Sequence, residues 1–162
     1  MEGAEELRAQ LRNLHDLEEI KTLKARYCHL VDARRWEELE ALWTDDATCD
    51  YGFFGRYEGR REIIDKFFRE LVDAASAFMV HMVHNPIVEV RGDEASGSWY
   101  LTAQTTIRPM NQAVWVMGIY QDRFRRVGGV WRISSLRFEF KYYTPYEDGW
   151  AKTPMWEIPA SR

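Results

Sequence analysis

The chain of 162 residues is 46% hydrophobic and 30% charged, with a formal net charge of −4. That length and composition suit one domain with a sizeable core and are too apolar for disorder, while no segment approaches the roughly 20 apolar residues of a membrane helix. The acidic balance argues against nucleic acid as a partner: local clusters such as Arg123, Arg125 and Arg126 read as solvated surface.

Cys28 and Cys49 make neither a disulfide framework nor a zinc ligand set. The charged stretch from Met1 to Arg12 has no apolar signal region, so a cytoplasmic location is expected. Seven Trp, eight Tyr and eight Phe point to a large apolar interior. It is either densely packed or holds a cavity rimmed by tyrosine hydroxyls.

Leu7, Leu11, Leu14, Leu17, Ile20, Leu23, Tyr27 and Leu30 follow three-and-four spacing, which predicts one long helix from about Glu5 to Asp32. A short helix is expected over about Trp36 to Trp43, then a strand from Ala47 to Tyr51 and a loop from Gly52 to Gly59. Ile63, Ile64, Phe67, Phe68 and Leu71 define a third helix, about Arg60 to Ala75. From Phe78 onward the helical period is lost. Four strands are expected at about 78–90, 95–107, 113–126 and 130–143, with Gly92-Asp93 and Gly128-Gly129 as turns in an antiparallel meander. Trp131 and Ile133 occupy one parity and Leu136, Phe138, Phe140 and Tyr142 the other, so a bulge is expected near Ser134-Ser135. The tail from Pro145 to Arg162 has no period and is expected to drape over the body or reach a neighbouring subunit.

Three helices followed by such a sheet make an α+β domain. If the sheet curls round the helices, a cone-shaped barrel with an internal pocket results.

His81 and His84 lie three apart on an expected strand and point to opposite faces, so at most one enters the interior and a metal site is not expected. Asp32 ends the first helix, where the dipole disfavours a carboxylate. The position suits either a cationic or imidazole partner or an exposed turn. Tyr27 and Tyr51 read equally as core or as pocket residues. The chain has no phosphate-binding glycine loop and no serine nucleophile motif. Acid–base chemistry without a cofactor remains.

These residues, in this order, resemble the SnoaL-like family of the nuclear transport factor 2-like (cystatin-like α+β barrel) superfamily, and within it are similar to scytalone dehydratases, bile acid 7α-dehydratases and hexachlorocyclohexane dehydrochlorinases. The resemblance runs from about Leu17 to Pro145. It is carried by IKxLKxxY at 20–27, Asp32 and Trp36, Tyr51, HMVHNP at 81–86, GSWYL at 97–101 and YxDRFRRVGGVWRI at 120–133.

It implies that Asp32 orients and charges His81, the general base, and that Tyr27 and Tyr51 assist from the pocket wall. A carboxylate beside an imidazole in a dry pocket makes it a better proton acceptor. Tyrosine hydroxyls there can polarise a carbonyl or ease a departing hydroxide. Two departures stand out. Ala103-Gln104 replaces an expected acid, and no histidine follows His84. Arg137, Gln104, Asn85 and Thr102 are the remaining polar candidates for holding substrate.

The expectation is a cofactor-independent dehydratase-type lyase, or an isomerase, acting on a cyclic apolar small molecule such as a steroid or polyketide-like compound. It is expected to form a dimer or trimer. A non-catalytic binding or assembly protein of the same fold is the alternative, and a dioxygenase small subunit a third.

Overall fold

The computed structural model describes residues 2–159. Helix α1 (Glu2–Asp32) is continuous, but its apolar stripe changes role midway. Ile20, Leu23, Tyr27, Leu30 and Val31 are buried, whereas Leu7, Leu11 and Leu14 are each more than half exposed. The helix ends on Arg34, whose φ of 54° is left-handed. The Arg35 N–H donates to the Leu30 carbonyl at 2.9 Å and the Arg34 N–H to the Val31 carbonyl at 3.1 Å, a Schellman-type stop. A side chain at positive φ is strained. Here the guanidinium holds it, bonding Asp73 Oδ1 at 2.5 Å and the Ser76 carbonyl at 2.6 Å. That clamp fixes the end of α1, and with it Asp32, against the start of the sheet.

Helix α2 is shorter than expected, Trp36–Glu40, because β1 begins at Trp43 and runs to Asp50. Trp43 is fully buried as a strand residue. The segment read as a loop contains a 3₁₀ turn, Gly52–Phe54, and a short strand β2, Arg56–Glu58, paired antiparallel with β1.

Helix α3 covers residues 60–75 and is π-helical over Ile63–Val72; the Asp73 N–H donates to the Phe68 carbonyl five residues back. Its apolar pairs Ile63/Ile64, Phe67/Phe68 and Leu71/Val72 recur every four residues. The wider π turn carries that spacing and brings both phenylalanines onto the buried face.

Strands β3 (Ser76–Arg91), β4 (Glu94–Ile107), β5 (Gln112–Val127) and β6 (Val130–Pro145) form the antiparallel meander. The sheet order is β2-β1-β6-β5-β4-β3. It is curved but not closed, and it is not wholly antiparallel, since β1 runs parallel to β6. Ser134 is the extra residue of the expected bulge, between the pairs Phe124/Ile133 and Arg123/Ser135. A second bulge at Lys141 separates Met117/Tyr142 from Gly118/Phe140. It returns the strand to its earlier parity, so Tyr143 rather than Tyr142 is buried in the core. Tyr142 instead stacks on Trp150 of the short helix α4 (Gly149–Lys152).

After α4 the tail folds back along β6. The Tyr143 N–H donates to the Pro154 carbonyl at 2.9 Å, and the Trp156 N–H to the Tyr143 carbonyl at 2.7 Å. Among the described residues, no helix is long and apolar enough to cross a membrane.

Candidate active site

A cavity of about 130 Å³ opens between α1, α3 and the concave face of the sheet. Phe67 and Phe68 of α3, Met79 and His81 of β3, Leu101 and Ala103 of β4, and Tyr120 of β5 line it, as do Tyr27, Tyr51, Phe138 and Tyr143. Ile158 of the tail reaches its edge. No Asp, Glu, Lys or Arg is among the described lining residues.

Asp32 and His81 meet there, as expected. Asp32 Oδ1 lies 2.5 Å from His81 Nδ1, and Oδ2 accepts the His81 backbone N–H at 3.0 Å. The backbone bond fixes the carboxylate against β3, so the oxygen that orients the ring is itself held in place. With Nδ1–H directed at Asp32, Nε2 is left as the basic nitrogen. His84, three residues on, is exposed on the opposite face.

Tyr27 of α1 and Tyr51 after β1 share a hydrogen bond of 2.8 Å between their hydroxyls. Tyr51 stacks on Phe67 at 3.8 Å between ring centroids, and Tyr27 packs edge-on to Tyr120. Burial is the chief cause that pushes the phenols of Tyr27, Tyr51 and Tyr120 well above their ordinary range. They stay protonated at neutral pH and can only donate or share a proton. Burial likewise pushes the Cys28 thiol up to about 12 and the Cys49 thiol higher still, so neither is a nucleophile near neutral pH.

Of the residues expected to contact substrate, Arg137 and Asn85 lie away from the cavity and Gln104 borders it. Arg137 is exposed because it alternates with Leu136 and Phe138, which face the core. Asn85 is exposed at a bulge in which it and Pro86 together oppose Trp99; its φ is 50°, a left-handed conformation Asn tolerates, and Pro86 has no N–H for the ladder. Gln104 borders the cavity, but it shares the half-exposed outer parity of Thr102, opposite to that of Leu101 and Ala103.

The sequence reading did not single out Lys24 and Asp122. Both side chains have no solvent exposure, and Lys24 Nζ lies 2.7 Å from Asp122 Oδ2, in an ion-pair contact without good hydrogen-bond alignment. Burial pushes the Asp122 carboxyl up, and Lys24 opposes it. The signal was a charge on each buried stripe: Lys24 between Ile20 and Tyr27 on α1, and Asp122 between Tyr120 and Phe124 on β5. A different cluster of ligand-type side chains, His15, Asp16 and Glu19, lies on α1. There Asp16 Oδ1 is already engaged by Trp131 Nε1 at 3.2 Å and Arg126 Nη2 at 2.8 Å.

A model of the SnoaL-like domain matches residues 12–137. An uncharacterised protein of Mycobacterium tuberculosis is 31% identical over 121 residues, covering 74% of this chain and 82% of the relative. Hexachlorocyclohexane dehydrochlorinase 1 of Sphingobium indicum is 24% identical over 115 residues, covering 71% of this chain and 75% of the relative. The crystal structure of a type 2 hexachlorocyclohexane dehydrochlorinase superposes with a TM-score of 0.79 at 24% identity, covering 84% of this chain and 92% of that one.

Proposed function

The chain belongs to the SnoaL-like domain family, and on that footing we propose that it is a cofactor-independent lyase that eliminates a leaving group from a small, uncharged, ring-containing substrate. The observation that carries this reading is the Asp32–His81 pair at an apolar cavity whose lining also holds paired tyrosine hydroxyls.

In the proposed reaction, His81 Nε2 takes a proton from a ring carbon. The electrons of that C–H bond form the new double bond, and the group on the adjacent carbon leaves with its bonding pair. Asp32 stabilises the imidazolium so formed, which then releases its proton to solvent. Of the paired phenols Tyr27 and Tyr51, one donates toward the departing atom as it gains charge, while the other's proton supports it through the bond between them.

The cavity narrows the substrate. A buried carboxylate or phosphate needs a cationic partner, and the described lining provides none. An apolar cavity of about 150 Å³ accommodates one benzene, so a cavity of about 130 Å³ suits a single ring better than a steroid. The likeness to hexachlorocyclohexane dehydrochlorinase 1 agrees with an elimination on such a ring.

A second reading, a binding protein without catalysis, draws support from Ala103, which leaves the cavity without a carboxylic acid. Halide release from halogenated cyclohexanes, and water loss from cyclic alcohols with an acidified neighbouring C–H, test between the two. His81→Ala and Asp32→Asn are expected to lower turnover by about 10²- to 10⁴-fold. Turnover equal to wild type in both variants, or absent from the wild-type chain across the panel, rejects the lyase.

A further inference from the structure

The Lys24–Asp122 pair lies behind the tyrosine wall of the cavity. Lys24 Nζ sits 3.4 Å from the ring centroid of Tyr120 and 4.6 Å from that of Tyr27, and a third ring, Trp99, lies 5.6 Å away. Asp122 is two residues from Tyr120 on the same parity of β5 and holds the ammonium at 2.7 Å. Stability alone does not account for this arrangement. A fully desolvated ion pair loses in hydration about what it gains in attraction, and well-packed apolar residues often replace one without loss. What the ammonium adds is a fixed positive charge against the faces of two rings that line the cavity.

We propose that Lys24, anchored by Asp122, is a positioning residue for the donor side of the site. Its charge holds the Tyr27 and Tyr120 rings and draws density from their faces, so that the hydroxyl network of Tyr27 and Tyr51 donates more strongly to a substrate atom gaining negative charge. This inference rests on the reading of the cavity as an elimination site, and it explains how a wall without a carboxylic acid can assist a leaving group. Lys24 acts through the rings and transfers no proton.

Two unreactive probes isolate the donor side. Cyclohexanone and methylcyclohexane both present one six-membered ring, but only the ketone has an oxygen to accept a hydrogen bond. In the wild-type chain the ketone is expected to bind more tightly, with its carbonyl stretch moved to lower frequency. Lys24→Met combined with Asp122→Leu removes both charges and keeps the interior apolar. That double variant is expected to weaken ketone binding about fivefold, to leave methylcyclohexane within about twofold, and to move the stretch back toward its position in a Tyr27→Phe chain.

A merely structural role weakens both probes in parallel and overturns the proposal. So does an unchanged ratio of the two affinities, and so does a wild-type chain that binds neither probe or shows no preference. If the double variant does not fold, Lys24→Gln with Asp122→Asn discards the charges while keeping polar contact and is read by the same ratio. Neither probe has a leaving group, so these affinities do not depend on His81 as a base. Failure of the lyase reading appears only in the turnover assay.

Discussion

His81 and Ala103 stand opposite each other across the β3–β4 ladder. A methyl group thus faces the imidazole where the family resemblance led us to look for an acid, and the paired phenols of Tyr27 and Tyr51 are buried donors that line the cavity. Tyr27→Phe is expected to lower kcat about 100-fold with little change in KM, because the lost hydrogen bond strengthens only as charge develops. Steady-state kinetics on the substrate identified by the elimination screen checks this. A rise in KM at constant kcat assigns Tyr27 to ground-state binding instead.

Acid sensitivity is expected to centre on Asp16, which ties α1 to β5 and β6. Burial pushes its carboxyl up, but the hydrogen bonds from Arg126 and Trp131 outweigh this and hold it below its ordinary value. A carboxyl lowered on folding contributes stability above its unfolded value, about 3.9, and loses it as pH falls through the folded value. Asp16→Asn is therefore expected to be less stable than wild type at pH 7 and to converge with it at about pH 2. Urea midpoints at the two pH values test this, and an equal gap at both contradicts it.

Gly118 has no room for a side chain. An added Cβ would sit inside contact distance of the Glu139 carbonyl and the Phe138 ring, beside the second bulge of β6. Gly118→Ala is expected to cost about 1–3 kcal/mol by overpacking. For a chain of this length that lowers Tm by about 2–4 °C per kcal/mol. Calorimetry showing an unchanged Tm would mean that the strands separate there freely.

The convex face of the sheet exposes Phe78, Met82 and Tyr100 on neighbouring strands β3 and β4. Apolar side chains grouped in this way favour self-association. Sedimentation of the wild-type chain is expected to give a dimer or trimer, and Met82→Asp with Tyr100→Asp to shift it toward monomer. A wild-type chain that sediments as a monomer at micromolar concentration contradicts this.

The sequence revealed those parts of the molecule in which polarity contrasts with its surroundings. Trp131 and Ile133 set against Leu136 and Phe138 marked the bulge at Ser134, which the ladder contains. The bulge at Lys141 left no such mark, because Tyr142 and Tyr143 are identical neighbours and either could face inward. The parallel pairing of β1 with β6 joins segments about ninety residues apart and has no local signature. Arg137 and Asn85 were named for their chemistry, and the alternation of β6 and the bulge in β3 carry them away from the cavity. Asp32 and His81 were legible because a carboxylate at a helix end and a histidine on a strand fit a pattern seen elsewhere. The clamp that joins them, Arg34 at positive φ on Asp73 and Ser76, was not.

The widened coil of α3 makes its aromatic wall depend on a count of residues. With five-residue spacing between bonded peptide groups, loss of one residue from 63–72 would let the segment relax to the ordinary four-residue spacing. The part of α3 beyond the lost residue would then rotate by about 100° about the helix axis, so that a loss ahead of Phe67 swings one of Phe67 and Phe68 out of the chamber. A deletion there would enlarge the chamber on one side while leaving the imidazole and its carboxylate in place. Relatives differing by one residue in this segment would accept bulkier guests with the same base.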